Sequence, residues 1–242
     1  MIQAQTVNRT TSETPTHDVS VVKDFTDLNT WWDEYASCYE DRSWEVARSL
    51  LAEIIQHAPG GPILDVGCGY GFLAECARRF GIGAIGLEGS ERALQVSRKL
   101  HPLADMRAWK AGTDFPISSD SIGCVVVNEF VDHITIVQNR SMLLEAYRVL
   151  SDDGVLIVKS PSKFNRFDKD LGHVTFFSPR EFNLFVQSFS FHIVSQPYSP
   201  QPLLGSSRVG WLAMRMLAKL YQPEKWAARI DLVARKIPLT IT

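Results

Sequence analysis

The chain has 242 residues, 45% of them hydrophobic, with 25 basic and 27 acidic side chains and a formal net charge of −2. That is the length of one domain, or of one domain with an insertion, and the composition is too apolar for a disordered chain. A near-neutral charge argues against a dedicated nucleic-acid binder, which carries a basic patch, and no apolar run reaches the roughly 18 residues that a membrane span needs.

Met1 to Ser20 is rich in Thr, Ser and Gln. It lacks a basic start followed by an apolar stretch, so it reads as a flexible polar tail and not as a secretory signal. Trp32, Tyr35, Ala36 and Tyr39 then fall at helical spacing, a stripe that ordinarily serves packing. Ser43 to His57 reads as an amphipathic helix whose apolar face is Val46, Ala47, Leu50, Leu51, Ile54 and Ile55. It stops at Pro59-Gly60-Gly61-Pro62. Ile63 to Val66 is a short buried strand, Phe72 to Phe80 a helix with a basic end, and Gly83 to Leu87 a second strand closed by Glu88. Ser90 caps a helix running to Leu100. A third strand is expected near Met106 to Trp109. Ile122 to Val127 carries no charge and ends in three valines, the pattern of a central strand buried on both faces. Arg140 to Leu150 reads as a helix and Gly154 to Lys159 as a strand. Ser178-Pro179-Arg180-Glu181 spells a capping box at the start of a helix to about Phe189, followed by strand Phe191 to Ser195. Gln196 to Ser207 reads as a loop, Val209 to Tyr221 as an apolar helix and Arg229 to Arg235 as a last strand.

Strand–helix alternation of this kind predicts an α/β, doubly wound parallel sheet with helices on both faces. Ligands of such sheets bind beyond the carboxyl ends of the strands. Asp65, Glu88 and Asn128 are therefore expected on one edge. The four cysteines, Cys38, Cys68, Cys76 and Cys124, form no C-x-x-C pair and read as reduced thiols of a cytosolic protein.

The most informative stretch is Asp65-Val66-Gly67-Cys68-Gly69-Tyr70-Gly71. Its glycines permit a sharp turn and close backbone approach to a ligand. Glu88 lies about 20 residues beyond the first glycine, where an acid accepts hydrogen bonds from ribose hydroxyls. An adenosine-containing cofactor is implied. A dinucleotide fingerprint needs a third glycine where this chain has Phe72, and Asp65 would repel a pyrophosphate while suiting a cationic ligand.

Ile63 to Gly71 resembles the first motif of class I S-adenosylmethionine-dependent methyltransferases. Gly86-Leu87-Glu88-Gly89-Ser90 is similar to their ribose-binding motif. Phe115-Pro116 with Ser121 to Val126 is similar to their run into strand four, and Glu145 to Gly154 to their helix and turn before strand five. The resemblance extends from about Trp32 to Lys236. It implies a Rossmann-like seven-stranded sheet, mostly parallel with an antiparallel last strand, forming one methyltransferase domain over residues 21–242, with 161–225 contributing substrate-side cover. It implies S-adenosyl-L-methionine as cofactor, touched by Asp65, Gly67, Cys68, Gly69, Gly71, Glu88, Gly89, Asn128 and Glu129. Asp114 is displaced from the family's adenine-binding acid after strand three and is carried as an adenine contact. The N-terminal segment closes over the cofactor in relatives, which points to Tyr39 at the methionine end.

Methyl transfer from a sulfonium is an in-line displacement served by positioning and by a base when the acceptor is a hydroxyl. Glu129, Asp132 and His133 have the spacing E-x-x-D-H. On a turn of helix that spacing puts them on one face. There they can activate a hydroxyl or bind a divalent cation. The run resembles the acid-x-x-acid-His segment of ubiquinone-pathway O-methyltransferases, where those residues hold magnesium. Proton transfer is the favoured use, and no metal ligand is assigned. His173 lies in a His-x-x-x-Phe-Ser-Pro segment common in small-molecule methyltransferases. The catalytic set is thus His133, His173 and Asp132. The expected activity is methyl transfer to a hydroxyl of an apolar or aromatic metabolite, with carbon or nitrogen acceptors, a nicotinamide dehydrogenase and a non-catalytic cofactor-binding subunit as rivals. Expected partners are the small-molecule substrate and at most a second copy as a homodimer, with no nucleic acid and no integral membrane segment.

Overall fold

The computed structural model describes residues 40–58, 60–165, 172–197 and 227–238. The polar tail, the aromatic stripe ending at Tyr39, Cys38, the helix expected over 209–221 and most of the expected substrate cover lie outside the described residues.

The first described helix, α1 (Glu40–His57), precedes β1 (Ile63–Val66), α2 (Phe72–Arg79), β2 (Ala84–Glu88), α3 (Glu91–Leu100) and β3 (Asp105–Ala108). Then come β4 (Ile122–Asn128), α4 (Ile136–Val149), β5 (Leu150–Pro161), α5 (Pro179–Gln187), β6 (Phe191–Ser195) and β7 (Arg229–Lys236). The strands form one seven-stranded sheet in the order β3-β2-β1-β4-β5-β7-β6. β7 runs antiparallel to both neighbours, and the pairs among β1 to β5 are all parallel. The order reverses at β1, which pairs with β2 on one side and β4 on the other. In open sheets of this kind, ligands bind beyond the strand ends at such a reversal.

Both faces of the sheet are covered, which is why β4 needs no polar alternation: Ile122 to Val127 are all buried. One face packs Leu64, Leu87, Val125 and Val127 against Met142, Leu143 and Ala146 of α4 and Phe182 and Val186 of α5. The other packs Ile63, Cys124, Val126 and Ile157 against Ala47, Leu50, Leu51 and Ile54 of α1 and Leu73, Cys76 and Ala77 of α2. That narrower stripe corrects the expected apolar face of α1. Val46 is 38% and Ile55 61% exposed, because Ala47, Leu50, Leu51 and Ile54 already fill the contact.

Local signals set most of the element ends. Ser90 Oγ accepts from Ala93 N to start α3, and Ser178 with Glu181 forms the expected reciprocal box on α5. α4 starts a turn before the expected Arg140. Thr135 and Gln138 form a second capping box there. β5 extends beyond the expected Gly154–Lys159 at both ends. β3 lies one residue earlier than expected, which leaves Trp109 just past its end. At the far edge of the sheet, Gly123 N donates to Pro62 O at 2.9 Å. A Cβ on Gly123 would overlap the Gly60 carbonyl.

Candidate active site

The glycine loop leaves β1 and turns through three glycines at positive φ: Gly67 at 74°, Gly69 at 53° and Gly71 at 78°. Only glycine adopts these angles at little cost. Two of the three also meet protein. A Cβ on Gly67 would press into the Phe130 ring, and one on Gly71 would lie 2.7 Å from Met106 Sδ. Phe72, in place of a third fingerprint glycine, turns its ring edge-on to Trp44 and His101, with centroids at 5.2 and 5.0 Å.

Glu88 ends β2 and is buried beneath this loop. Its Oε2 accepts from Gly69 N at 2.9 Å and its Oε1 from Ser90 N at 2.7 Å. One carboxylate therefore ties the glycine loop to the turn before α3, and each oxygen keeps a further lone pair. Asp65, on the adjacent strand, is 5% exposed. Burial, and then the negative charge of Glu88, push the Asp65 carboxyl up to about 7. Burial also raises Glu88, against the pull of its backbone N–H donors. A pair of buried carboxylates beside positive-φ glycines suits a ligand with hydroxyls and a cationic centre. S-adenosylmethionine has both, so the residues present fit it. Cys68 sits in the loop as a free thiol, which burial and the two acids push well above its ordinary range. Gly89 packs against Trp109, with a Cβ position 3.2 Å from its carbonyl oxygen.

The remaining sequence-predicted contacts divide. Asn128 ends β4 on the same edge, paired with Lys159. Glu129 departs from the expected helical face. It takes φ 51° as β4 closes. Its backbone N–H donates to Lys159 O at 2.8 Å, and its carboxylate accepts from Arg229 at the start of β7. Asp114 is exposed, and its charge acts on Arg148. Tyr39 lies outside the described residues.

Asp132, His133 and His173 do meet. Residues 131–133 form a turn, not a helix, in which His133 N donates to Phe130 O at 3.0 Å. Buried Asn139 of α4 holds that turn by donating from Nδ2 to Val131 O at 2.8 Å and Ile134 O at 3.2 Å. The segment before α5 is stitched to it: Val174 N donates to Asp132 O at 2.8 Å, and Thr175 Oγ1 donates to Ile134 O at 2.6 Å. This seam brings His173, 41 positions along the chain, to Asp132.

Asp132 is 3% exposed. Its Oδ1 accepts from Ser160 Oγ at 3.1 Å, and its Oδ2 is in ion-pair contact with His173 Nε2 at 2.9 Å. His133 Nε2 is 3.8 Å from the same Oδ2. The two imidazoles meet edge-on at 4.8 Å. The His173 side chain is 5% exposed and that of His133 34%. Burial raises the Asp132 carboxyl, but His173, followed by the charges of both imidazoles, outweighs it and the net shift is down. Burial lowers His133. The Asp132 charge opposes this, His173 adds to it, and the net shift is again down. A carboxylate and two imidazoles, with ligand atoms within 4.8 Å of one another, could also accept a metal ion. Beside them lies a cavity of about 280 Å³ lined by Asp132, His173, Ser162, Lys163, Asn165 and Phe176. Ser160, Asn139 and Arg229 were not legible as site residues. Ser160 and Arg229 act from other strands and Asn139 from the helix just beyond the turn, and none carries a local motif.

Residues 64–158 match the family model described as a methyltransferase domain. The mouse mitochondrial ubiquinone biosynthesis O-methyltransferase is 31% identical over 173 residues, covering 63% of this chain and 46% of that protein. The ubiquinone biosynthesis O-methyltransferase of Alkalilimnicola ehrlichii is 39% identical over 88 residues, 36% of this chain and 35% of that protein. The chain spans about half the length of the mitochondrial relatives it matches. Among solved structures, a SAM-dependent methyltransferase from Archaeoglobus fulgidus superposes with a TM-score of 0.63 at 17% identity, covering 84% of this chain and all of that one. The [4+2]-cyclase SpnF superposes with a TM-score of 0.57 at 18% identity, covering 80% of each chain. No helix among the described residues is long and apolar enough to cross a membrane. Its sheet order, its glycine loop with an acid closing β2, and these relatives together liken the chain to S-adenosylmethionine-dependent methyltransferases, with residues 64–158 matching a methyltransferase domain.

Proposed function

We propose that the chain transfers the methyl group of S-adenosylmethionine to a hydroxyl oxygen of a small, apolar or aromatic acceptor. The observation that carries this reading is the buried Asp132 carboxylate holding imidazoles beside a cavity, on the same sheet edge as the glycine loop. The names of the ubiquinone-pathway relatives support an oxygen acceptor. The fold alone does not choose a reaction, since a cyclase shares it.

Bound in the crevice, the cofactor supplies an electrophilic methyl group on a good, neutral leaving group. The chain does the rest. Glu88 would accept from the ribose hydroxyls through the lone pairs its backbone donors leave. Asp65 would hold the cationic amino-acid end. Gly67, Cys68, Gly69, Gly71, Gly89 and Asn128 shape the cradle with backbone. On the acceptor side, His133 Nε2 faces Asp132, which leaves Nδ1 as the basic atom for the acceptor proton. The cavity lining offers Phe176 to an apolar ring and Lys163 and Asn165 to polar substituents.

The test is calorimetry with S-adenosylmethionine and S-adenosylhomocysteine, followed by mass spectrometry of products from a panel of phenols, catechols and quinols. Binding of both nucleosides and a mass gain of one methyl on an oxygen are expected. Binding with no product across oxygen, nitrogen and carbon acceptors would favour a cofactor-binding subunit instead.

A further inference from the structure

The acid-x-x-acid-His likeness implies a magnesium ion on Glu129, Asp132 and His133, and that donor set does not assemble. Glu129 leaves β4 at φ 51° and gives its carboxylate to Arg229. A different set converges: a carboxylate oxygen of Asp132 and one ring nitrogen each of His133 and His173 lie within 4.8 Å of one another. Asp132 is 3% exposed, and its Oδ1 accepts from Ser160 Oγ at 3.1 Å. Its Oδ2 is buried and has no hydrogen-bond donor among the described residues. His173 Nε2 stands 2.9 Å from this oxygen and His133 Nε2 3.8 Å, yet neither contact has hydrogen-bond geometry. A buried anionic oxygen in that state is costly until a ligand completes it.

We propose that Asp132, His133 and His173 form a binding site for a borderline divalent transition metal of the zinc class, with Asp132 Oδ2 as its anionic ligand. The inference goes beyond the methyltransferase reading and stands without it. Ligand atoms held about 2.0–2.2 Å from one ion lie roughly 2.8–3.6 Å apart. The two nitrogens, at 2.9 and 3.8 Å, bracket that spacing around Oδ2. A small turn of the His133 ring, the outer of the two with a side chain 34% exposed, brings its nitrogen in. Two imidazoles and one carboxylate suit zinc and its neighbours, whereas magnesium demands hard oxygen ligands in near-octahedral array.

The surroundings hold these ligands in place. Ser160 Oγ orients the Asp132 carboxylate from its other oxygen. Val174 N donates to Asp132 O and Thr175 Oγ1 to Ile134 O, which fixes the His173 segment against the turn carrying Asp132 and His133. Metal sites orient their ligands through outer hydrogen bonds of this kind. Three protein ligands leave a coordination position open. The cavity lined by Asp132, His173 and Ser162 lies beside it, with room for an oxygen ligand from water or an acceptor. Ligation through Nε2 leaves the His133 ring proton on Nδ1. The loaded site and the imidazole base described above are therefore alternative states of one side chain.

The test uses the full chain, stripped with a chelator and dialysed, and does not rely on turnover. Zinc binding is measured by competition with a chromophoric chelator, and Co²⁺ serves as a visible reporter of its own ligands. The expected results are about one zinc ion per chain at micromolar affinity or tighter, Co²⁺ bands typical of a low-coordinate nitrogen and oxygen site, and no displacement of zinc by millimolar Mg²⁺. His173→Ala and His133→Ala should each weaken zinc by at least about tenfold, and Glu129→Gln should leave its affinity unchanged. Zinc that binds equally well after both histidine substitutions is adventitious and overturns the proposal. So does the absence of stoichiometric zinc and Co²⁺ binding, displacement by Mg²⁺, or a loss in Glu129→Gln that matches the loss in His173→Ala. Should His173→Ala not fold, His133→Ala alters a partly exposed side chain and still decides. Failure to bind S-adenosylmethionine in the same samples would instead sink the methyltransferase reading and leave the metal result standing.

Discussion

Asp65 carries the most direct consequence of the buried acidic pair. Its carboxyl stands at about 7 in the folded chain against an ordinary 3.8, because burial and Glu88 oppose its charge. A group whose folded value is raised contributes stability at low pH that is lost as pH climbs toward the folded value. The shift of about three units corresponds to roughly 4 kcal/mol of folding free energy at pH 8 and about 1.7 kcal/mol at pH 5. Asp65→Asn keeps the shape and removes the charge. It should therefore stabilise the ligand-free chain by up to roughly 4 kcal/mol at pH 8 and by less than half of that at pH 5. Urea denaturation at the two pH values measures the gap. Saturating S-adenosylmethionine should shrink or reverse the advantage, because a cationic ligand compensates the native carboxylate and does nothing for the amide. A variant no more stable than wild type at pH 8, or a gap that does not change with pH, would refute the claim that this carboxylate is held under strain for a cation.

Glu88→Gln retains the size of the side chain, turns one acceptor oxygen into a donor and removes the charge from the other, where charge-assisted bonds are each worth roughly 1.5–3 kcal/mol. Calorimetry should show S-adenosylmethionine and S-adenosylhomocysteine weakened together by about tenfold or more. His133 is held below its ordinary value, so the neutral base survives into mildly acid solution. The acid limb of the kcat/KM profile should fall below the usual imidazole value of about 6.5, and a limb above 7 would count against His133 as base. Arg229→Ala should change stability by no more than about 1 kcal/mol in thermal denaturation, because its pair with Glu129 is exposed. Phe182→Ala, at a site with 0% exposure, should cost about 3–5 kcal/mol.

Where the chain's local chemistry decides an element, the sequence reading and the structure coincide. The Ile63–Val66 strand, the Ser90 cap, the Ser178–Glu181 box and the Phe191–Ser195 strand each rest on a few adjacent residues. The start of α4 was legible in the same way, since Thr135 and Gln138 stand three apart, but the exposed Ile136 and Val137 hid the helix pattern. The site was legible residue by residue and not as an arrangement. Placing Glu129 with Asp132 and His133 presumed a helical turn. The backbone instead closes β4 at positive φ, and a partner 100 residues away takes the carboxylate. His173 and Asp132 were each singled out, yet only the seam between the two segments shows that they form one unit.

Gly123 sets a different kind of boundary. Far from the chemistry, the entrance of the central strand is jammed against the bend that leads from α1 into β1, with no room for even one methyl group. The foot of the sheet is thus the least forgiving place for side-chain diversification. Libraries aimed at new acceptors can vary Asn165 and Phe176 of the cavity lining, but a single alanine at this remote joint would have to prise apart the first helix and the middle of the sheet.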